Sequence, residues 1–337
     1  YPSTICLESL RNHLSFDFRD VYRSKGRAAV EEFTNILTAI DSVIWGPPLI
    51  ALILLGGIFL TFRLRGLQFR TLGLALKYTF KNEEDGKGEV TSFGALCTAM
   101  SATVGTGNIV GIATAVVAGG PGALFWMWLA AIFGMATKFS EGLLAVKFRT
   151  MDKKGHVLGG PFYYIENGMG QKWRWLAKAF AFFGMCVALF GMGTFTQINS
   201  ISSAVTGFFD PAMSHTVNIL GGEFSIATVI GGLFTAVLAG LKRIATFSEK
   251  VVPAMVVVFL VFSFTLIFYN IDKLPATLLL IVQHAFGLQA FGAGMFGAIL
   301  IAMQFGLARG IFANEAGLGS APIAAAAAKT NEPARQG

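Results

Sequence analysis

The polar residues able to do chemistry in this chain lie inside long apolar runs. Ser101-Ala102-Thr103-Val104-Gly105-Thr106-Gly107-Asn108-Ile109-Val110-Gly111 places glycines, threonines and an asparagine near the middle of one run. Glycine weakens a helix by up to about 1 kcal/mol relative to alanine. In lipid, broken backbone is tolerated only where it faces protein or a cavity. A helix interrupted here would present backbone N–H groups and a positive dipole end suited to a carboxylate. Its freed carbonyls would suit a cation such as Na⁺. The same residues also suit close packing, since Gly107 and Gly111 form a GxxxG pair.

A second cluster, Gly193, Thr194, Thr196, Gln197, Asn199, Ser200, Ser202 and Ser203, follows in a later run. Thr196, Ser200 and Ser203 share one helix face, and Gln197 lies beside that stripe. The stripe fits either a cavity lining or ordinary interhelical hydrogen bonding. Lys138 and Glu141 form an ionisable pair at i, i+3 within a run, suited to a structural or gating role. Arg309 and Glu315 flank the glycine-rich end of the last long run, where glycine is expected to break the helix. They read as gating salt-bridge partners or as a solvated helix end.

No run carries paired carboxylates, a metal-ligand cluster or a nucleophile beside a base, and a phosphate-binding loop is missing too, so an enzyme is not expected. Cys6, Cys97 and Cys186 are far apart and read as isolated thiols. His13, His156, His215 and His284 fall in the tail, in loops or at an interface.

These residues need elements to hold them, and composition says which kind. Of 337 residues, 54% are hydrophobic and 13% charged, where a soluble domain carries about 25% charged. Such a chain has too little polar surface for water, and its natural solvent is the lipid bilayer. The net charge of +7 sits between apolar runs and does not point to nucleic acid. A span needs roughly 17 to 25 apolar residues. Pro47–Phe62, Ser92–Ala118, Ala123–Val146, Ala177–Phe209, Phe224–Leu241, Val251–Tyr269 and about 289–311 meet or approach this. Leu274–Phe286 suits an interfacial helix, and an alanine-rich stretch occupies Ala321–Ala328.

Lys and Arg number six in Arg63–Val90, seven in Lys147–Lys178 and three in Leu241–Lys250, while the alternate connections hold Lys273 alone. By the positive-inside rule the basic loops are cytoplasmic, in the plasma membrane (the inner membrane of a bacterium). Tyr1–Arg27 carries five basic residues on the opposite side and lacks a signal-peptide core.

Gly119-Gly120-Pro121-Gly122-Ala123-Leu124-Phe125-Trp126-Met127-Trp128-Leu129-Ala130-Ala131-Ile132-Phe133-Gly134 resembles the signature of the alanine or glycine:cation symporter family. Val104–Ala113, Met135–Arg149, Ala308–Ile323, Ile44–Pro48 and Gly159–Gly170 are similar to the same family, from about Glu32 to Lys329. The resemblance implies an all-α polytopic bundle of the leucine-transporter type: two inverted repeats of five helices, the first of each broken at the substrate. Residues 1–30 are then a tail without assigned role, and 31–90 an extra first transmembrane helix and cytoplasmic linker. Residues 91–270 form the first repeat. Residues 271–337 hold an interfacial helix and the start of the second, the chain stopping after about the sixth core helix.

The resemblance further implies that Thr106, Gly107 and Asn108 hold an amino-acid carboxylate and that carbonyls near Ser101 and Val104 face Na⁺, the coupling ion. Gln197, with Met303, Gln304 and Phe305, would line the substrate pocket. The expected function is Na⁺ symport of a small neutral amino acid, alanine or glycine, by alternating access. A related carrier coupled to H⁺ or moving another small solute is the runner-up. A passive channel would need a continuous polar path, and the sequence offers one break and one stripe. The expected partners are the amino acid and the bilayer; no protein partner is identifiable.

Overall fold

In the computed structural model, the described residues are 32, 34–40, 43–44, 46–79, 86, 88–190, 192–209, 216–219, 222–226, 228–230, 233, 244–288 and 293–337. The tail 1–30 lies outside them. The chain divides into two compact units, Tyr1–Ala51 and Leu52–Gly337. In the first, residues 34–40 are helical, and the Thr38 hydroxyl donates to the Thr34 carbonyl at 2.8 Å.

Helix α1 (Pro47–Arg63) leads through a left-handed Arg65-Gly66 turn to the short α2 (Leu67–Arg70) and α3 (Leu72–Thr79). Next come α4 (Ser92–Thr103), α5 (Thr106–Gly119) and the long α6 (Gly122–Lys147). A small hairpin, β1 (Thr150–Met151) and β2 (Val157–Leu158), precedes α7 (Pro161–Met169). In its turn Asp152 accepts from the backbone N–H of Lys154 and His156, at 2.8 and 2.9 Å. The His156 N–H foremost holds that carboxyl below its usual range.

Helices α8 (Arg174–Phe190) and α9 (Met192–Phe209) then precede the antiparallel β3 (Thr216–Ile219) and β4 (Gly222–Ser225). The chain closes with α10 (Ile244–Tyr269), α11 (Leu274–Ala285), α12 (Ala293–Asn314), α13 (Ala321–Ala326) and α14 (Pro333–Gln336).

Among the described residues three helices are long and apolar enough to cross a membrane: α6, Glu249–Tyr269 of α10 and Gly294–Asn314 of α12. The apolar side chains of α10 mostly face outward; Val257, Phe262, Leu266 and Phe268 are 59–67% exposed. Outward apolar surface on this scale is what lipid covers. The expected span Ala177–Phe209 comprises α8 and α9 on either side of residue 191, which lies outside the described residues. The expected span Phe224–Leu241 is corrected at its start, because Phe224 and Ser225 pair in β4 with Val217 and Thr216. Gly221-Gly222 between short apolar stretches is a hairpin signal that the span reading passed over. Most of that segment's remainder lies outside the described residues.

The core is built on α6 and α12. Ala123, Met127, Ala130 and Gly134 form a buried small-residue stripe on α6. Gly306 and Gly310 of α12 press against it. A Cβ at Gly306 would lie 2.7 Å from Trp126 Cβ, and one at Gly310 would lie 2.9 Å from Ala130 Cβ. Small residues at this spacing let two helices approach closely, so dispersion contacts replace the hydrophobic drive that lipid cannot supply. The expectation that glycine breaks the last run is therefore corrected in place. Helix α12 continues through Gly306 and Gly310 and ends at Asn314, and the glycines with positive φ are Gly317 and Gly319. The tryptophan-rich stretch joins α6 to α11: Trp126 Nε1 donates to the Ala285 carbonyl at 3.3 Å, and Phe125, Trp126 and Phe286 cluster edge to face.

After α6, Arg149 acts as a fork. Its guanidinium donates to the carbonyls of Ala326, Ala328 and Thr330, each at 2.7 Å. Partial burial lowers its pKa, yet a guanidinium stays charged at neutral pH. The same strap hydrogen-bonds to the segment before α4: Glu89 and Val90 N–H donate to the Ala327 carbonyl, and Lys329 N–H donates to the Val90 carbonyl. Replacing Arg149 with alanine strips three carbonyls of a charged donor, and is expected to destabilise the detergent-solubilised protein by about 2–3 kcal/mol. Arg149→Lys should recover only part, because a point charge cannot fork to three acceptors. Equal melting temperatures for the three proteins would refute this role.

Candidate functional site

The expected second span is two helices. Helix α4 is N-capped by Thr91, whose hydroxyl accepts the Gly94 N–H at 2.9 Å and donates to Glu249 of α10 at 2.5 Å. It ends at Thr103, and Val104 (φ −100°, ψ 80°) and Gly105 (φ −140°, ψ 177°) leave helical geometry. Helix α5 then starts at Thr106. Thr106 and Gly107 form its first turn, and their side-chain positions lie outside the described residues. The two-residue gap orphans carbonyls at the end of α4, and Asn108 addresses this. Its Nδ2 donates to the Thr103 carbonyl and, at 3.0 Å, to the Ala313 carbonyl of α12. Gly111 faces the Arg309 side chain, not another glycine.

A cavity of about 500 Å³ opens at this break. Thr103, Val104 and Asn108 line it from the two half-helices, Lys138 and Glu141 from α6, and Asn314 from the end of α12. Beyond Asn314 the backbone turns sharply, with positive φ at Glu315 (53°), Gly317 (86°) and Gly319 (79°). Asn314 Oδ1 accepts the Ala316 N–H at 2.8 Å, and the Ser320 hydroxyl donates to Glu315 at 2.5 Å. Glu141, only 8% exposed, accepts the Gly317 N–H through Oε1 at 3.1 Å. Its Oε2 is buried without a hydrogen-bond partner. Lys138 Nζ reaches the Glu315 carbonyl at 3.5 Å. Tyr164 of α7 is pushed above the usual phenol range by burial, with the nearby Glu141 carboxylate adding to it.

The structure thus brings Val104, Asn108, Lys138 and Glu141 to one cavity, with Glu315 in the adjoining turn. Ser101, in the last turn of α4, donates its hydroxyl to the Thr98 carbonyl at 2.7 Å. The side chain of Gln197, on α9, lies outside the described residues. Met303, Gln304 and Phe305 do not line this cavity; they sit two to three turns before Asn314, about 14–17 Å along α12. Arg309 stacks over Phe312 with its guanidinium 6.0 Å from the ring centroid. Among the described residues the ion pairs within 4 Å are Glu89–His156 and Glu166–Arg174, so neither Lys138 with Glu141 nor Arg309 with Glu315 closes one.

Sequence reasoning missed Asn314 and the Arg149 fork. An Asn-Glu pair just before Gly-Leu-Gly is a turn signal, and Arg149 read only as a marker of the membrane boundary. Cys97 and Cys186 are free thiols.

Outward-facing apolar helices, with an interrupted helix opening on a cavity that holds Lys138 and Glu141, define an integral membrane protein. The chain belongs to the sodium:alanine symporter family, whose model matches residues 30–337. It is 54% identical over 304 residues to an uncharacterized transporter of Haemophilus influenzae, covering 90% of this chain and 64% of that protein. It is 44% identical over 312 residues to the sodium/alanine symporter AgcS of Methanococcus maripaludis, covering 90% of this chain and 65% of that one. A probable sodium/glutamine symporter, GlnT of Bacillus subtilis, is 40% identical over 306 residues, covering 90% and 60%. The chain therefore spans just under two thirds of these relatives' length.

Replacing Asn108 with alanine leaves the Thr103 and Ala313 carbonyls without their amide donor. A loss of about 1–3 kcal/mol is expected, seen as a lower melting temperature. Thr98→Ala, which removes only an intrahelical hydroxyl bond to Gly94, should melt close to wild type. Indistinguishable melting of the two variants would remove Asn108 from this role.

Proposed function

We propose that the protein is a secondary carrier that imports a small neutral amino acid, alanine or glycine, by Na⁺ symport with alternating access. The observation that carries this reading is the break between α4 and α5 at the edge of a cavity that also holds Lys138, Glu141 and Asn314. The N-terminal turn of α5, Thr106 to Asn108, gives the positive dipole end that a carboxylate needs. The last turn of α4, Ser101 to Thr103, and the non-helical Val104 offer carbonyls of the kind that replace a cation's hydration shell. The similarity to AgcS, a sodium/alanine symporter, supports alanine as solute, and that to GlnT, a probable sodium/glutamine symporter, makes glutamine the second candidate.

In this reading residues 91–270 form the first of two inverted repeats, and the second begins within 271–337. The basic loops Arg63–Val90 and Lys147–Lys178 face the cytoplasm, where the membrane's charge asymmetry favours them. Gln197 and residues 303–305 complete the pocket in another conformation of the carrier. Sodium binds with the amino acid, so its gradient drives accumulation.

The full-length protein in proteoliposomes should concentrate labelled alanine under an inward Na⁺ gradient and not in choline. Excess unlabelled alanine should outcompete glutamine for uptake. Flux that neither saturates nor counterflows would point to a channel instead. Equal uptake in sodium and choline, with a proton gradient restoring accumulation, would replace Na⁺ by H⁺ as the coupling ion.

A further inference from the structure

Lys138 and Glu141 carry charges that the fold does not use up. They stand on one face of α6, three residues apart, yet no ion pair within 4 Å joins them. Glu141 is a lining residue of the cavity; it spends one oxygen on the Gly317 N–H, and its other oxygen is buried without a hydrogen-bond partner. Lys138, half-buried, has a single long contact to the Glu315 carbonyl. Tyr164 and Glu315 complete the ionisable groups around Glu141. A buried carboxylate oxygen without a donor is an expensive feature in a low-dielectric site. Its presence beside an unpaired ammonium suits a ligand bearing both complementary charges.

The same cavity reaches Thr103, Val104 and Asn108 at the helix break. A solute leaving the break toward the basic end of α6 therefore meets Lys138 and Glu141 along a wall otherwise lined largely by apolar residues such as Ala95, Leu96, Ala99 and Met100.

We propose that Lys138 and Glu141 form a second station for a zwitterionic solute, between the helix break and the face carrying Lys147 and Arg149. Lys138 takes the carboxylate and Glu141 Oε2 takes the ammonium group. Glu141 Oε1 meanwhile holds the 315–320 turn, so the carboxylate that receives the solute also anchors the end of α12. The inference rests on the amino-acid reading above but assigns residues outside its broken-helix site.

The test uses the full-length carrier in proteoliposomes of known orientation, with alanine half-saturation measured from each face. Glu141→Gln and Lys138→Gln should each raise half-saturation from the basic-loop face about tenfold, the loss of one charged hydrogen bond. From the opposite face each should stay within about twofold of wild type. Propionate, which lacks the ammonium, should lose inhibition in Lys138→Gln and keep it in Glu141→Gln. Alaninamide, which lacks the carboxylate, should do the reverse. Equal shifts at both faces, or no shift, with wild-type flux intact, overturn the station and leave the transport reading standing. Absence of wild-type flux for every neutral amino acid overturns both. Should Glu141→Gln fail to fold, Lys138→Gln decides: loss of propionate inhibition alone supports the station, and equal loss of both inhibitors overturns it.

Discussion

A peptide group in hydrocarbon has no water to turn to, and that constraint organises this molecule. An unbroken helix satisfies it internally. A helix broken at Val104 and Gly105 does not, and each carbonyl freed there needs a partner supplied from elsewhere. Asn108 supplies one: its amide bonds to Thr103 across the gap and to Ala313 on α12. The break is thus not a slack point. It is closed by a side chain that ties three helix ends together.

The same constraint recurs at the other end of α12. There the chain leaves the helix through three positive-φ residues, Glu315, Gly317 and Gly319, and turns back as a strap. Asn314 and Glu141 receive the N–H groups of Ala316 and Gly317, while Arg149 supplies the donor that Ala326, Ala328 and Thr330 need. These two irregular segments are held by polar side chains with fixed geometry. The regular part, α6 against α12, is held by the absence of side chains: Gly306 lets the backbone approach Ala123 and Trp126 closely, and Gly310 lets it approach Met127 and Ala130. A rigid helix pair thereby carries two irregular segments whose bonds can be exchanged.

How much of this was legible in the sequence depends on the range of the interaction. Local signals read well. Gly105 and its neighbours marked the break, Pro47 and Leu274 opened helices where expected, and Trp126 lay in a stretch specific enough to indicate the family. Gly306 and Gly310 misled, because a helix interior glycine can equally weaken the helix or admit a neighbour, and only the partner helix decides. Phe224 misled because its apolar neighbours suit a strand as well as a span, and the pairing with Val217 is set by the chain before it. Arg149 was silent, since its acceptors lie 177 to 181 positions away in backbone that no side-chain pattern encodes, while Asn314 was signalled only by the turn residues that follow it.

Asn108 connects the two breaks in a way that bears on conformational change. Its amide donates to Thr103 at the end of one broken segment and to Ala313 just before the other. Separating α4 from α5, or drawing α12 away, gives up one of these bonds unless the other end follows. Glu141 is placed similarly, a lining residue of the cavity with one oxygen on the Gly317 turn and the other buried without a hydrogen-bond partner. Both side chains therefore join a cavity wall to a chain reversal. Discrete hydrogen bonds of this kind favour two alternative arrangements over a continuous range. A ligand that bonds to either group in only one arrangement would shift the population between them by its differential affinity alone.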